Sequence, residues 1–273
     1  MKSYTHHFSS FRYLLSLLII GHVYVGQAQN LVPNYSFETF TTCPTSYEGL
    51  CFGFAPPWSC ATTGSSDLFN SCGNPSMAGV PNNAIGSQLA NTGEGYAGFI
   101  CFWPSINNYR EYITAPLTAP LIAGEWYYVS FFISLADSGC GVENVGAHFS
   151  TSPIFQPQIT TLLLDPQVEN TTGMISDNQG WVFIGGCFQA AGGEAYITIG
   201  NFYNDNETPL DPDCTSSNYN YFYIDDVSVV QGAAPEEIII ELGDPVVECF
   251  SYEIDPNHDG PFYLWSDGST GLL

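Results

Sequence analysis

The 273 residues carry three Lys and Arg against 27 Asp and Glu, a formal net charge of −24, and 15% of them are aromatic. Nucleic acid, anionic lipid and other polyanions are excluded as partners, because no basic patch is present to displace their counterions. Acids in such excess form a solubilising surface, of which a few suit a hard cation.

Residues 1–29 have the three-part form of a secretory signal peptide: a basic stretch with Lys2 and Arg12, an apolar run from Leu14 to Val25, and small residues at Gly26 and Ala28. Cleavage is expected near Ala28 or Gln29, which leaves Arg110 as the one Lys or Arg against all 27 acids. The run is too poorly flanked for a membrane span, and no later segment offers about 18 unbroken apolar residues. The mature chain is therefore expected to be secreted or held at the outer cell surface, with no membrane insertion. An uncleaved N-terminal anchor is the alternative.

From 30 to 231, short apolar or alternating runs are separated by Gly, Pro, Asn and Ser clusters, and no window holds a helical period. The pattern predicts one all-β domain with strands at 126–135, 146–150, 181–185, 195–200 and 221–230. Roughly 200 residues suffice for a two-sheet sandwich core. The stretches 40–95, 100–110 and 201–220 read as long loops carrying cysteines and aromatics.

The segment opening this domain ends in Glu38, and the strand closing it holds Asp225 and Asp226. Laid side by side, they offer carboxylate oxygens to calcium. Strand alternation sends Asp225 and Asp226 to opposite faces, so one of them is expected in such a site. The competing reading has Glu38 capping a turn and one Asp pairing with Arg110, whose fork can hold two carboxylates, Glu111 or a closing-strand Asp among them.

Nine cysteines in an exported chain, with no zinc-finger spacing, read as disulfides. Eight lie in the large domain, and spacing does not choose among the possible pairings. The expectation adopted is Cys43–Cys51, Cys60–Cys72, Cys101–Cys140 and Cys187–Cys214, which leaves Cys249 without a partner.

After Gly232 the composition changes. Residues 232–273 read as a linker and the front of a second β domain, too short to close an immunoglobulin-like sandwich of about 100 residues. Asp255 to Gly260 matches the opening of an EF-hand loop, but Ser266 stands where the bidentate Glu belongs.

Several boxes carry a family resemblance. They are 30–38 (Asn-Leu-Val-Pro-Asn-Tyr-Ser-Phe-Glu), 80–86 (Val-Pro-Asn-Asn-Ala-Ile-Gly), 109–113 (Tyr-Arg-Glu-Tyr-Ile), 199–202 (Ile-Gly-Asn-Phe) and 223–227 (Tyr-Ile-Asp-Asp-Val). Together they resemble the N-terminal jelly-roll domain of Bacteroidetes surface proteins, itself similar to the galactose-binding-like fold of family 4 and family 22 carbohydrate-binding modules. The resemblance implies a structural calcium on the matching Glu38 and Asp225 or Asp226. It also implies a role in glycan binding or adhesion. The box at 265–271 (Trp-Ser-Asp-Gly-Ser-Thr-Gly) resembles the tandem immunoglobulin-like repeats of such proteins, which lead to type IX secretion and gliding machinery.

Sugar binding needs exposed aromatic faces beside amide or carboxylate hydrogen-bonders. Trp58, Tyr96, Phe102, Trp103 and Tyr109 are the candidate platforms, with Asp67, Asn70, Asn82, Asn83 and Asn107 as polar partners. Trp58 follows two prolines and divides evenly between ligand platform and core plug. Trp103 is the better platform, and Trp126 and Trp181 read as core. The sequence has no Gly-x-Ser-x-Gly elbow and no His-Glu-x-x-His helix, and a signal-cleaved chain keeps His148 and His258 alone. These features favour a non-catalytic module over a hydrolase. The expected partner is a glycan or a cell-surface protein, and a spacer or protein-binding adhesin is the rival reading.

Overall fold

A computed structural model describes residues 29–46, 49–137, 139–212 and 219–232, together with the backbone of 263–264 and 270–271. The expected signal peptide, Cys214, Cys249, the EF-hand-like turn and most of the expected immunoglobulin-like start lie outside the described residues.

Among the described residues there is no helix. The chain builds β1 (Ser59–Cys60), β2 (Asp67–Asn70), β3 (Gly95–Phe102), β4 (Ile113–Pro116), β5 (Trp126–Leu135), β6 (Gly146–Ser150), β7 (Val168–Glu169), β8 (Val182–Gln189), β9 (Tyr196–Gly200) and β10 (Asn220–Gly232). A short antiparallel pair, β11 (Tyr263–Leu264) with β12 (Thr270–Gly271), follows in the tail. The ten strands form two antiparallel five-stranded sheets, in the orders β1-β4-β9-β6-β7 and β2-β3-β10-β5-β8. This is an all-β jelly-roll sandwich.

Alternation along the strands sorts side chains between the two faces of each sheet. Phe222 and Ile224 of β10 face the inter-sheet core with Ala97, Phe99 and Cys101 of β3 and Tyr127, Val129, Phe131 and Ile133 of β5. Tyr221 and Tyr223 face outward, joining Phe69, Tyr96 and Ile100 in a second cluster beneath the 71–94 loop. The predicted windows at 126–135 and 146–150 coincide with β5 and β6, and those at 181–185, 195–200 and 221–230 fall on β8, β9 and β10.

The loop expected over 40–95 contains β1 and β2. β2 is buried at all four positions, so it shows no alternation to read.

The bookends meet as expected, although the first is a run of turns rather than a strand. Leu31 N–H donates to the Val229 carbonyl at 2.8 Å, and Val227 N–H donates to the Tyr35 carbonyl at 2.9 Å. The Asn30 amide donates to the Val227 carbonyl and accepts from Val229 N–H, each at 3.0 Å.

The expected disulfide pairing is corrected. The bridges are Cys43–Cys72 and Cys51–Cys60. The segment after Cys43 lies against the turn after β2, where Asn74 N–H donates to the Pro44 carbonyl at 3.1 Å, and this brings Cys72 rather than Cys51 to Cys43. Cys140 is also disulfide-bonded. Cys101 and Cys187 are free thiols: Cys101 points from β3 into the core, whereas Cys187 is exposed on β8, at the edge of the opposite end of the sheet. Burial pushes the Cys101 thiol up to about 12. Disulfides of this kind belong to exported proteins.

Candidate functional site

β3 ends at Phe102, and the chain turns through 103–110 to bring Glu111 back beside Ile100, whose carbonyl accepts Glu111 N–H at 2.9 Å. The turn is closed by Ile106 N–H on the Trp103 carbonyl and Tyr109 N–H on the Ile106 carbonyl. It lifts Trp103 and Tyr109 off the sheet face at the end where β10 begins.

Trp103 stands edge-on between two tyrosines, with ring centroids 5.0 Å from Tyr109 and 5.3 Å from Tyr219. All three are half-buried. Below them lies a cavity of about 220 Å³, walled also by Ser65, Asp67, Ile85, Ile100, Glu111 and Tyr221.

Two buried carboxylates form the floor. Glu111 Oε1 accepts Ser65 N–H at 2.9 Å, the Ser65 hydroxyl at 3.2 Å and the Tyr109 hydroxyl at 3.0 Å. Glu111 Oε2 accepts Ile100 N–H at 2.9 Å. Burial holds the Glu111 carboxyl above the usual carboxylate range despite these four donors. Asp67 Oδ2 accepts the Tyr221 hydroxyl at 2.5 Å. Burial, together with Glu111 for Tyr109 and Asp67 for Tyr221, raises both phenols above the ordinary range and keeps them as donors.

Gly98 makes the Tyr221–Asp67 bond possible. On β3, between β2 and β10, a Cβ at this position would stand 2.5 Å from the Tyr221 ring, so only glycine lets the phenol lie across the sheet to reach Asp67.

Of the ten side chains expected as platforms or polar partners of a ligand, Trp103, Tyr109 and Asp67 converge here. The others do not. Trp58 is 1% exposed, packs on Phe37 at 5.1 Å and donates its indole N–H to the Asn34 carbonyl at 2.9 Å, so it is a core plug. Tyr96 is fully buried under the 71–94 loop: its hydroxyl donates to the Gln88 carbonyl and accepts from the Asn83 amide. Asn70 is buried and holds its own turn through Cys72 N–H. Phe102 is buried under the Arg110 guanidinium, which sits 5.1 Å from its ring centroid. Trp181, expected in the core, is half-buried instead: it packs edge-on against Tyr96 at 5.7 Å and donates its indole N–H to the Leu89 carbonyl at 2.9 Å. Trp126 is half-buried at the end of β5.

Glu111, Ser65, Tyr219 and Tyr221 were missed as site residues. Glu111 carried one legible signal, its place beside Tyr109 in the Tyr-Arg-Glu-Tyr box.

Arg110 pairs with Asp205 at 2.9 Å rather than with Glu111 or a closing-strand Asp. Adjacent residues of an extended segment point opposite ways, so Arg110 and Glu111 occupy different sides. The fork also donates to the Tyr109 and Tyr203 carbonyls and to the Thr208 hydroxyl.

The terminal acids also differ from expectation. A bulge between Asp225 and Ser228, with Asp226 at φ 50°, brings both carboxylates to one loop instead of opposite faces. Asp225 Oδ2 accepts the N–H groups of Asn91 and Thr92 at 2.9 and 3.1 Å. Asp226 accepts the Asn91 amide and the Thr92 hydroxyl, each at 2.6 Å. Glu38 Oε1 takes the other end of the same loop, accepting Glu94 N–H at 2.8 Å and Gly95 N–H at 2.9 Å. Burial first, and the Asp226 charge second, push Asp225 up to about 8. Among the described residues no three His, Cys, Asp or Glu side chains converge as a metal cluster.

A larger cleft of about 490 Å³, lined by Asn107, Asn108, Thr160, Thr161, Leu163, Asn204, Asp205 and Asn206, has no aromatic wall. His148 lies in β6, with its ring Nδ1 2.8 Å from the Asp165 carbonyl. Among the described residues no helix is long and apolar enough to cross a membrane.

No protein-family model matches the chain. No curated protein matches it either. Solved structures similar to it include the CBM22-1 xylan-binding domain of Paenibacillus barcinonensis Xyn10C, at 12% identity and TM-score 0.39, covering 76% of this chain and 97% of that one. Another is TmCBM61 in complex with β-1,4-galactotriose, at 14% identity and TM-score 0.35, covering 75% and 100%. The N-terminal cellulose-binding domain of Cellulomonas fimi β-1,4-glucanase C is similar at 12% identity and TM-score 0.33, covering 65% and 90%.

Proposed function

We propose that this chain is an exported, non-catalytic glycan-binding module acting at the outer cell surface, with its ligand site at the Trp103 cavity. The observation that carries this reading is the convergence of Trp103, Tyr109 and Tyr219 with Asp67, Glu111 and Ser65 around one concave site. Aromatic edges and faces pack against the C–H groups of a sugar ring, and the carboxylates and hydroxyl meet its hydroxyl groups. Glu111 is already held by four donors, which suits a fixed acceptor better than an acid or base that must exchange its proton. The test is a glycan array followed by calorimetry with Trp103→Ala: saturable binding lost in a variant that melts like the parent supports the reading, and no binding by the parent overturns it.

The same reading includes a structural calcium. Its ligands would be Asp225 and Asp226, whose paired carboxylates have no Lys or Arg beside them among the described residues, with Glu38 bracing the loop between; backbone carbonyls and water would complete the shell. A melting temperature unchanged between excess calcium and chelator would remove the ion from the proposal.

One observation favours a protein partner instead. Tyr128, Phe132 and Phe183 line the outward face of β5 and β8, with Phe132 and Phe183 paired across the strands at 5.3 Å and Phe183 40% exposed. Such a strip suits adhesion to a cell-surface protein.

A further inference from the structure

We infer that the Trp103 cavity takes a single sugar ring at the end of a glycan chain, and that stretches within a chain are shut out. This rests on the glycan reading of the site.

The wall is a closed ring of contacts. Glu111 accepts Ser65 N–H at 2.9 Å on one side and the Tyr109 hydroxyl at 3.0 Å on the other. From Tyr109 the ring runs through Trp103 to Tyr219 at centroid spacings of 5.0 and 5.3 Å, and on to Tyr221 at 6.3 Å. Tyr221 donates to Asp67, which Ser66 alone separates from Ser65. Aromatic rings at such spacings are in edge contact, so no link in the wall leaves a gap for a sugar chain to pass through. A groove that binds the middle of a chain needs two such gaps, one for each neighbouring ring.

The size agrees. At about 220 Å³ the cavity lies below the roughly 300–1,000 Å³ of pockets that enclose drug-sized molecules, so it takes one pyranose ring and not two. Ile85 and Ile100, each 8% exposed, give the C–H face of that ring an apolar surface to cover. Tyr109 and Tyr221 commit their protons to Glu111 and Asp67, which leaves phenol oxygens to accept from sugar hydroxyls. A terminal ring brings more free hydroxyls to such acceptors than an internal one, because it carries one glycosidic bond instead of two.

The experiment places the full chain on an array of neutral glycans fixed through their reducing ends, in which terminal glucose, galactose, xylose, mannose, fucose and N-acetylglucosamine each cap two different inner chains. The expected hits share a cap whatever lies beneath it, and homopolymers of the cap sugar from two to six units bind within about threefold of one another in calorimetry. The same oligosaccharides are titrated free in solution, before and after borohydride opens the reducing ring: loss on reduction assigns the cavity to the reducing end, and no loss, with cap-dependent hits, to the non-reducing end. Trp103→Ala breaks the wall and must lose this binding; binding that survives intact in it overturns the inference. Should that variant not fold, the length series on the parent decides the question. Hits that follow the inner chain instead of the cap, or affinity rising about tenfold or more from two to six units, overturn chain-end binding and leave the glycan reading standing. Absence of binding in both formats overturns both.

Discussion

Tyr221 donates its hydroxyl to Asp67 at 2.5 Å, across the intervening strand and over Gly98. The bond ties β10 to β2 and orients one of the two carboxylates of the candidate site. Gly98→Ala should therefore push the phenol away, destabilise the domain by about 1–3 kcal/mol through overpacking, and weaken glycan binding as well. Urea unfolding and calorimetry on the same preparation check both effects. Unchanged affinity would detach Asp67 from recognition.

Glu111 sets a pH dependence. Its folded carboxyl lies above the unfolded value of about 4.3, so the folded state holds a proton that the unfolded state has released. Stability is thus highest below that unfolded value and falls as pH rises toward the folded pKa. Glu111→Gln replaces one acceptor oxygen with a donor and loses about 1–3 kcal/mol at acid pH, but it escapes the downward slope. The gap between parent and variant should narrow as pH rises, measured as unfolding free energy at a series of pH values. A widening gap would show that burial does not dominate at this carboxyl.

Gly93 adopts φ +66°, and a Cβ there would run into the Glu38 carboxylate. Gly93→Ala should cost about 1–3 kcal/mol from backbone strain and the displaced carboxylate. Denaturant midpoints test this, and a neutral substitution would mean that the loop re-forms without Glu38.

Arg110 is fully buried, whereas Asp205 keeps a quarter of its side chain in water. Arg110→Met should destabilise by about 3 kcal/mol, the lower part of the range for breaking a buried pair, since Asp205 can be rescued by solvent. Chemical denaturation is the readout, and Asp205→Asn is expected to cost less than Arg110→Met.

The free thiols give a direct check on the bridges. In the native protein Cys187 should react with an alkylating reagent and Cys101 should not, until denaturant exposes it. Peptide mapping by mass spectrometry distinguishes the two sites. Protection of Cys187 would restore the expectation that it is bridged.

Legibility in the sequence followed the physics of exposure. Strands with a core face and a wetter face, such as β5 and β6, could be located to the residue, whereas β2, buried on both sides, could not. Trp103 and Tyr109 were legible because aromatics in a polar turn have few reasons to be there. Trp58 and Tyr96 misled for the same reason: the sequence does not show that the 71–94 loop folds back over Tyr96, or that Asn34 offers its carbonyl to the Trp58 indole. The shared grip of Asp225 and Asp226 depends on a bulge, and a single extra residue in a strand leaves no mark on its composition. Cysteine pairing depends on which loops meet, which spacing does not encode.

The clasp of Asn30 and Leu31 on Val227 and Val229 brings the opening of the domain to the closing end of β10, about 25 Å along the strand from Tyr221 at 3.3 Å per residue. The first and last described turns of the sandwich therefore sit side by side, and the Trp103 cavity opens at the other end of β10, beyond their reach.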